Sequence, residues 1–179
     1  MSRTTGLRVQ GDGTFRGWES ITGATEGYQA VDDSASTTHD SDTTYIVLPR
    51  QILPSGRVSF PLFLQCQPGL IQSITLYVAA KTHQGSPELQ IGFVSVAGSG
   101  FHGTTFSPGA GYTVESRTFT TNPITGAAWT AADLVGLEVC VQMAAMTIAK
   151  ARVSLVAGLM TDILPKDAAR PPQRSMQGQ

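Results

Sequence analysis

The residues with the plainest chemical potential are four aspartates in one polar stretch. Asp32 and Asp33, then Asp40 and Asp42, lie between Tyr28 and Tyr45 among serines, threonines and His39. Hard cations such as Ca²⁺ take several oxygen ligands from carboxylates and carbonyls, and these four side chains could supply them. The glycine and closing glutamate of an EF-hand loop are absent, and Asx turns and backbone capping account for the same residues. Catalysis has less to draw on. His39, His83 and His102 fall in expected loops, and Gly98-Ser99-Gly100 lacks the frame of a nucleophile elbow. Glu19, Glu26, Glu88, Glu115 and Glu138 are scattered singly, and the phosphate-loop, dinucleotide and zinc-ligand patterns are missing. The expectation is a protein that is not an enzyme and carries no cofactor.

Aromatic side chains offer a second kind of chemistry, stacking against sugar rings. Tyr28, Phe101, Phe106 and Tyr112, with His102 as a polar contact, are the candidates for a glycan-facing surface. Trp129 is expected to be a core anchor. A third set could grip a partner protein: Arg8, Phe15, Arg16 and Trp18 near the N-terminus, and Arg170 and Arg174 in a proline-rich tail.

The elements that must position these residues are strands. Leu137, Val139, Val141 and Met143 alternate with Glu138, Cys140 and Gln142, as in a half-buried strand. Before them, Asn122-Pro123 and Thr125-Gly126 mark a turn, Trp129 tethers it, and Thr130 with Asp133 predicts a capped helical turn stopped at Gly136. Strands are expected at Tyr45 to Leu48, Arg57 to Leu64, Ile71 to Lys81, Glu88 to Val96, Thr113 to Thr121 and Lys150 to Met160. Pro61 cannot donate to a ladder, which predicts an edge or a bulge there. The runs 71–81 and 88–96 are expected to pair as a hairpin, and 98–111 to be a glycine-rich connection.

About eight strands at regular spacing predict an all-β fold: an antiparallel β-sandwich of jelly-roll type, with an immunoglobulin-like sandwich as the alternative. Residues 1–21 are expected to form an extended N-terminal arm, 22–162 the sandwich, and 163–179 a proline-rich C-terminal tail. Twelve Lys and Arg against 13 Asp and Glu give a net charge of -1, which provides no footprint for nucleic acid. No apolar run reaches the roughly 18 residues of a membrane span, and no signal-peptide core precedes the domain. Cys66 and Cys140 are expected as small semi-buried residues in a reducing compartment.

Several of these pieces stand together in a known arrangement. Trp18, Tyr28-x-x-Val31-Asp32-Asp33, Asp40-x-Asp42-Thr43-Thr44-Tyr45, the strand Ile74-x-Leu76-x-Val78-x-Ala80-Lys81, Asn122-Pro123-x-Thr125-Gly126-x-x-Trp129-Thr130 and Leu137-Glu138-Val139 resemble small structural proteins of tailed bacteriophages. The resemblance runs from roughly Glu26 to Met160; Asp33 stands where that pattern has Glu, and the acidic run is shorter. It implies a virion component assembled in the host cytoplasm, foremost an exterior capsid decoration or cement protein. Its partners would be the major capsid protein or other virion proteins, with self-association as a homo-oligomer, for instance a trimer. A tail, neck or fibre component, or a carbohydrate-binding module for host attachment, is the alternative.

Overall fold

A computed structural model describes residues 1–31, 44–48, 57–64, 68–95, 101–144 and 149–164, without the side chains of residues 63, 64, 95, 101 and 102. Ten strands are present: β1 (Ser2–Val9), β2 (Ser20–Thr22), β3 (Tyr45–Leu48), β4 (Arg57–Leu64), β5 (Leu70–Gln84), β6 (Leu89–Ser95), β7 (Phe101–Phe106), β8 (Thr113–Phe119), β9 (Leu137–Met143) and β10 (Lys150–Ile163). Two single 3-10 turns, Tyr28–Ala30 and Ala131–Leu134, are the other regular elements among the described residues.

The pairing defines two antiparallel sheets. One runs β3-β10-β5-β8 and the other β4-β9-β6-β7. From β3 onward every connection except β6 to β7 crosses between the sheets, which is the jelly-roll path. The expected fold class is therefore observed. The expected hairpin between 71–81 and 88–96 is not: β5 pairs β10 and β8, while β6 pairs β7 and β9. Both strands bury an alternating face, and that pattern cannot tell a ladder partner from a partner across the core. Residues 101–106, expected within a connection, form β7 instead.

The N-terminal segment also differs from expectation. Ser2–Val9 pairs with β10 from Ser2↔Ile163 to Leu7↔Gly158, and then with β4 from Leu7↔Leu64 to Val9↔Leu62. Leu7 and Val9 are buried, so two apolar residues suffice to seat this strand where β3 leaves half of the β10 edge unpaired. Residues 10–17 continue along the open edge of β4, with Gly13 N bonded to Ser59 O and Ser59 N to Phe15 O. Pro61, which has no N–H to offer, lies on that strand and accepts from Gln10 N at 3.1 Å.

The core fills the space between the sheets. Val58, Phe60, Leu89, Ile91, Phe93, Val139, Val141 and Met143 come from one, and Ile74, Leu76, Val78, Ala80, Val153, Val156 and Met160 from the other. At one end Trp129, 2% exposed, donates its indole N–H to Phe119 O at 2.9 Å. Phe93 meets Phe119 and Trp129 edge-on, with ring centroids 5.0 and 5.4 Å away. Thr130 and Asp133 form the expected capping box, and Gly136 takes a positive φ of 70° at its close.

A half-buried ion pair ties β1 to β10. Asp162, fully buried, accepts from Arg3 Nη2 at 2.7 Å, Arg3 Nε at 3.0 Å and Gly69 N at 2.6 Å. The Arg3 hydrogen bonds hold its carboxyl below the usual range, against the opposing effect of burial. A carboxylate with a lowered folded pKa stabilises above its unfolded pKa of about 3.9, and loses that stabilisation as pH falls through the folded value. The unfolding free-energy gap between the native chain and Arg3→Ala is thus expected to be full at pH 7 and to close on acidification below about pH 4. Denaturant titrations from pH 7 to 2 check this, and a gap independent of pH would refute it.

Candidate functional site

The outward face of the β4-β9-β6-β7 sheet carries one row of polar side chains that join across all four strands. Register sets Arg57 opposite Gln142, Gln142 opposite Gln90, and Gln90 opposite Thr105. Arg57 Nε donates to Gln142 Oε1 at 2.6 Å, Gln142 Nε2 to Gln90 Oε1 at 2.6 Å, and Gln90 Nε2 to Thr105 Oγ1 at 3.2 Å. The row spans about 14 Å at normal strand spacing. Thr105 is exposed and the other three are half-buried. Phe15 closes one end, its ring 4.8 Å from the Arg57 guanidinium carbon.

The next rows on this face are covered. Ser59, Cys140 and Val94 are buried, and burial pushes the Cys140 thiol far up, leaving it inert. Glu138, 6% exposed, accepts from Ser59 Oγ at 2.5 Å, from Thr14 Oγ1 at 2.9 Å and from Thr14 N at 2.9 Å. Phe15 N in turn donates to Ser59 Oγ at 3.0 Å. Residues 13–15 therefore form a strap over this end of the sheet. A Cβ on Gly13 would stand 2.6 Å from Glu138 Oε2 and 2.7 Å from Ser59 O, so only glycine fits there. The strap leaves the Arg57–Thr105 row as an open shelf beside it.

A second feature sits at the end of the sandwich. The loop after β8 and the 3-10 turn border an open pocket of about 200 Å³, lined by Asn122, Ile124, Asp133, Val135 and Leu137 among others. On the outward face of the other sheet, Arg152 lies 4.5 Å from the Tyr45 ring centroid and bonds His83 Nδ1 at 3.2 Å, while Lys81 lies 4.8 Å from that of Tyr112.

The residues expected to act fall in several places. Asp32, Asp33, Asp40, Asp42, Arg170 and Arg174 lie outside the described residues, as do the side chains of Phe101 and His102. Among the described residues no group of three or more potential metal ligands occurs. Tyr28 packs against the core, its N–H bonded to Asp12 Oδ1 at 2.8 Å, and Tyr112 lies beside Lys81. Phe106, considered glycan-facing, is instead 7% exposed in the core. Trp18 packs on the domain, and Arg8 and Arg16 are exposed. Gln90, Gln142, Arg57 and Thr105 were not singled out in the sequence, where the first three read as ordinary strand residues and Thr105 falls in an expected connection. Their signal is the shared parity with Glu138 and Cys140, which becomes visible only once register is fixed.

No family model matches the chain, and no curated protein does. Similar solved structures include "BiXyn10A CBM1", at 10% identity and a TM-score of 0.43 over 89% of this chain and 96% of that one. A family 29 carbohydrate-binding module gives 11%, 0.43, 88% and 89%. A structure named "CBM4 structure and function" gives 13%, 0.43, 76% and 89%. No helix among the described residues is long and apolar enough to cross a membrane.

Proposed function

We propose that this protein is a non-catalytic binding domain for neutral glycans, with the Arg57–Gln142–Gln90–Thr105 shelf as its contact surface. The observation that carries the reading is the continuous amide-and-hydroxyl row on a rigid sheet. Side-chain amides both donate and accept, which matches sugar hydroxyls, and their mutual bonds hold them in place before a ligand arrives. The row's length and openness suit an extended chain better than a single ring. The outward sheet position suits a ligand that is itself a surface.

Gln142 is the central member, bonded on both sides. Gln142→Ala is expected to lower affinity for the recognised polysaccharide about tenfold, as the loss of one or two hydrogen bonds implies. Its unfolding midpoint should stay close to that of the native chain. Calorimetric titration across a panel of soluble neutral polysaccharides measures both the ligand and the effect. Absence of binding to every neutral polysaccharide in the panel would overturn the reading.

The second reading is the assembly role, in which the domain decorates a phage shell through exposed Arg8 and Arg16 and the tail residues Arg170 and Arg174. Those arginines are its support, together with the likeness in sequence pattern. Loss of particle incorporation on truncating the tail, with no glycan bound, would put this reading first.

A further inference from the structure

We infer that the pocket at the end of the sandwich is a second glycan subsite, built for one sugar ring and separate from the shelf; this rests on the glycan reading above. The loop that forms it is tightly specified. Asn122 N bonds Ala127 O and Gly126 N bonds Asn122 O, each at 2.8 Å, and Gly126 takes φ of 73°. The Asn122 side chain completes the turn by accepting from Ile124 N at 2.9 Å through Oδ1.

That leaves its amide nitrogen. Asn122 is 3% exposed and lines the pocket, yet Nδ2 has no hydrogen-bond partner among the described residues. Nδ2 is not among the buried polar atoms that lack a partner, so it stays open to solvent, and a ligand hydroxyl can take the place of the water it binds. On the same lining, Asp133 receives Thr130 N at 2.7 Å and Thr130 Oγ1 at 2.8 Å, both at Oδ2. A carboxylate has two oxygens and about four acceptor sites, so acceptor capacity remains. The lining of the pocket thus offers both a donor and an acceptor, with Ile124, Val135 and Leu137 as apolar members.

The chemistry selects the guest. A bare cation would find the Asn122 donor repulsive, and a simple anion would meet the Asp133 carboxylate. A hydroxyl both donates and accepts, so neighbouring hydroxyls of a sugar answer Asn122 Nδ2 and Asp133 together, while the C–H face of the ring rests on the apolar members. About 200 Å³ lies below the range of roughly 300–1,000 Å³ for drug-sized ligands, which limits the guest to a single ring. Val135, 83% exposed, stands at the rim where the rest of a glycan would pass.

The test titrates the full chain with methyl glucosides, galactosides and mannosides and follows backbone NMR shifts. One of these sugars is expected to move residues 122–137, with affinity reduced at least tenfold in Asp133→Asn and unchanged in Thr75→Ala, on the outward face of the other sheet. Asparagine keeps a capping oxygen at position 133, so the turn should persist, and unchanged shifts elsewhere confirm it. Polysaccharide binding at the shelf with no sugar perturbing 122–137 would overturn this inference alone. Full affinity in Asp133→Asn would overturn it as well. No binding at either place would remove the glycan reading and this subsite together.

Discussion

Trp129→Ala should lower the free energy of unfolding by about 4 kcal/mol, since truncating a buried tryptophan costs about 3–5 kcal/mol in transfer and cavity terms. Three separate contributions disappear at once. The indole closes one end of the core at 2% exposure, it packs edge-on against Phe93, and its N–H satisfies Phe119 O at 2.9 Å. Phe119 ends β8, so the vacancy would also loosen the exit of that strand. Urea titration at neutral pH, with the slope unchanged, measures the loss. Trp129→Phe restores ring packing without the N–H, and should recover more than half of it. A loss under about 1 kcal/mol for Trp129→Ala would show that the end of the sandwich is already loose.

The second large effect belongs to Glu138. Its carboxylate gathers Ser59 Oγ, Thr14 Oγ1 and Thr14 N, and alanine would strand the buried Ser59 hydroxyl and release exposed Thr14 to water. With about 1–3 kcal/mol for the buried hydroxyl left unsatisfied, and the lost bonds to the strap partly replaced by water, Glu138→Ala should cost about 2 kcal/mol. Glu138→Gln keeps an acceptor and should cost distinctly less. The location of the damage is as informative as its size. Amide exchange at Thr14 and Phe15 should become fast in Glu138→Ala while the β9 amides remain protected, because the strap is held by this one carboxylate and a few main-chain bonds. Uniform loss of protection across β9 would mean that the strap and the sheet open together.

Sequence made some of this legible and left the rest hidden for a physical reason. The alternation of β9, the capping box of Thr130 and Asp133, and the anchoring role of Trp129 are local facts, and local spacing carries them. The partner of β5 is not local: the run from Ile74 to Ala80 looks the same whether its neighbour lies beside it or across the core. β1 stayed hidden because only Leu7 and Val9 mark it, and its pairing depends on the edge that β3 leaves vacant. The shelf was hidden for a similar reason. Gln90, Gln142 and Thr105 lie far apart in the chain, and nothing about any one of them predicts that they stand in a line. Asn122 was read as a turn residue, which it is, but the idle nitrogen of its amide appears only in three dimensions.

One feature of the edge also bears on solubility. Arg117 donates to Ser116 O at 2.7 Å and reaches Thr105 O at 3.5 Å, so a single guanidinium occupies main-chain acceptors of both β7 and β8, which lie at the margins of their sheets. A charge placed there discourages the margins from pairing with another chain.

The antiparallel pairing of β1 with β10 has a mechanical meaning. Ser2 lies beside Ile163, and Leu164 N bonds Met1 O at 3.2 Å, so the two strand ends emerge together at one corner. A pull applied to both would peel β1 from β10 one bond at a time, as a zipper opens, instead of shearing the whole ladder at once. The Arg3–Asp162 pair sits at the first teeth of that zipper. Tension would reach it before any part of the core, so this domain would yield early under load and close again when the load is removed.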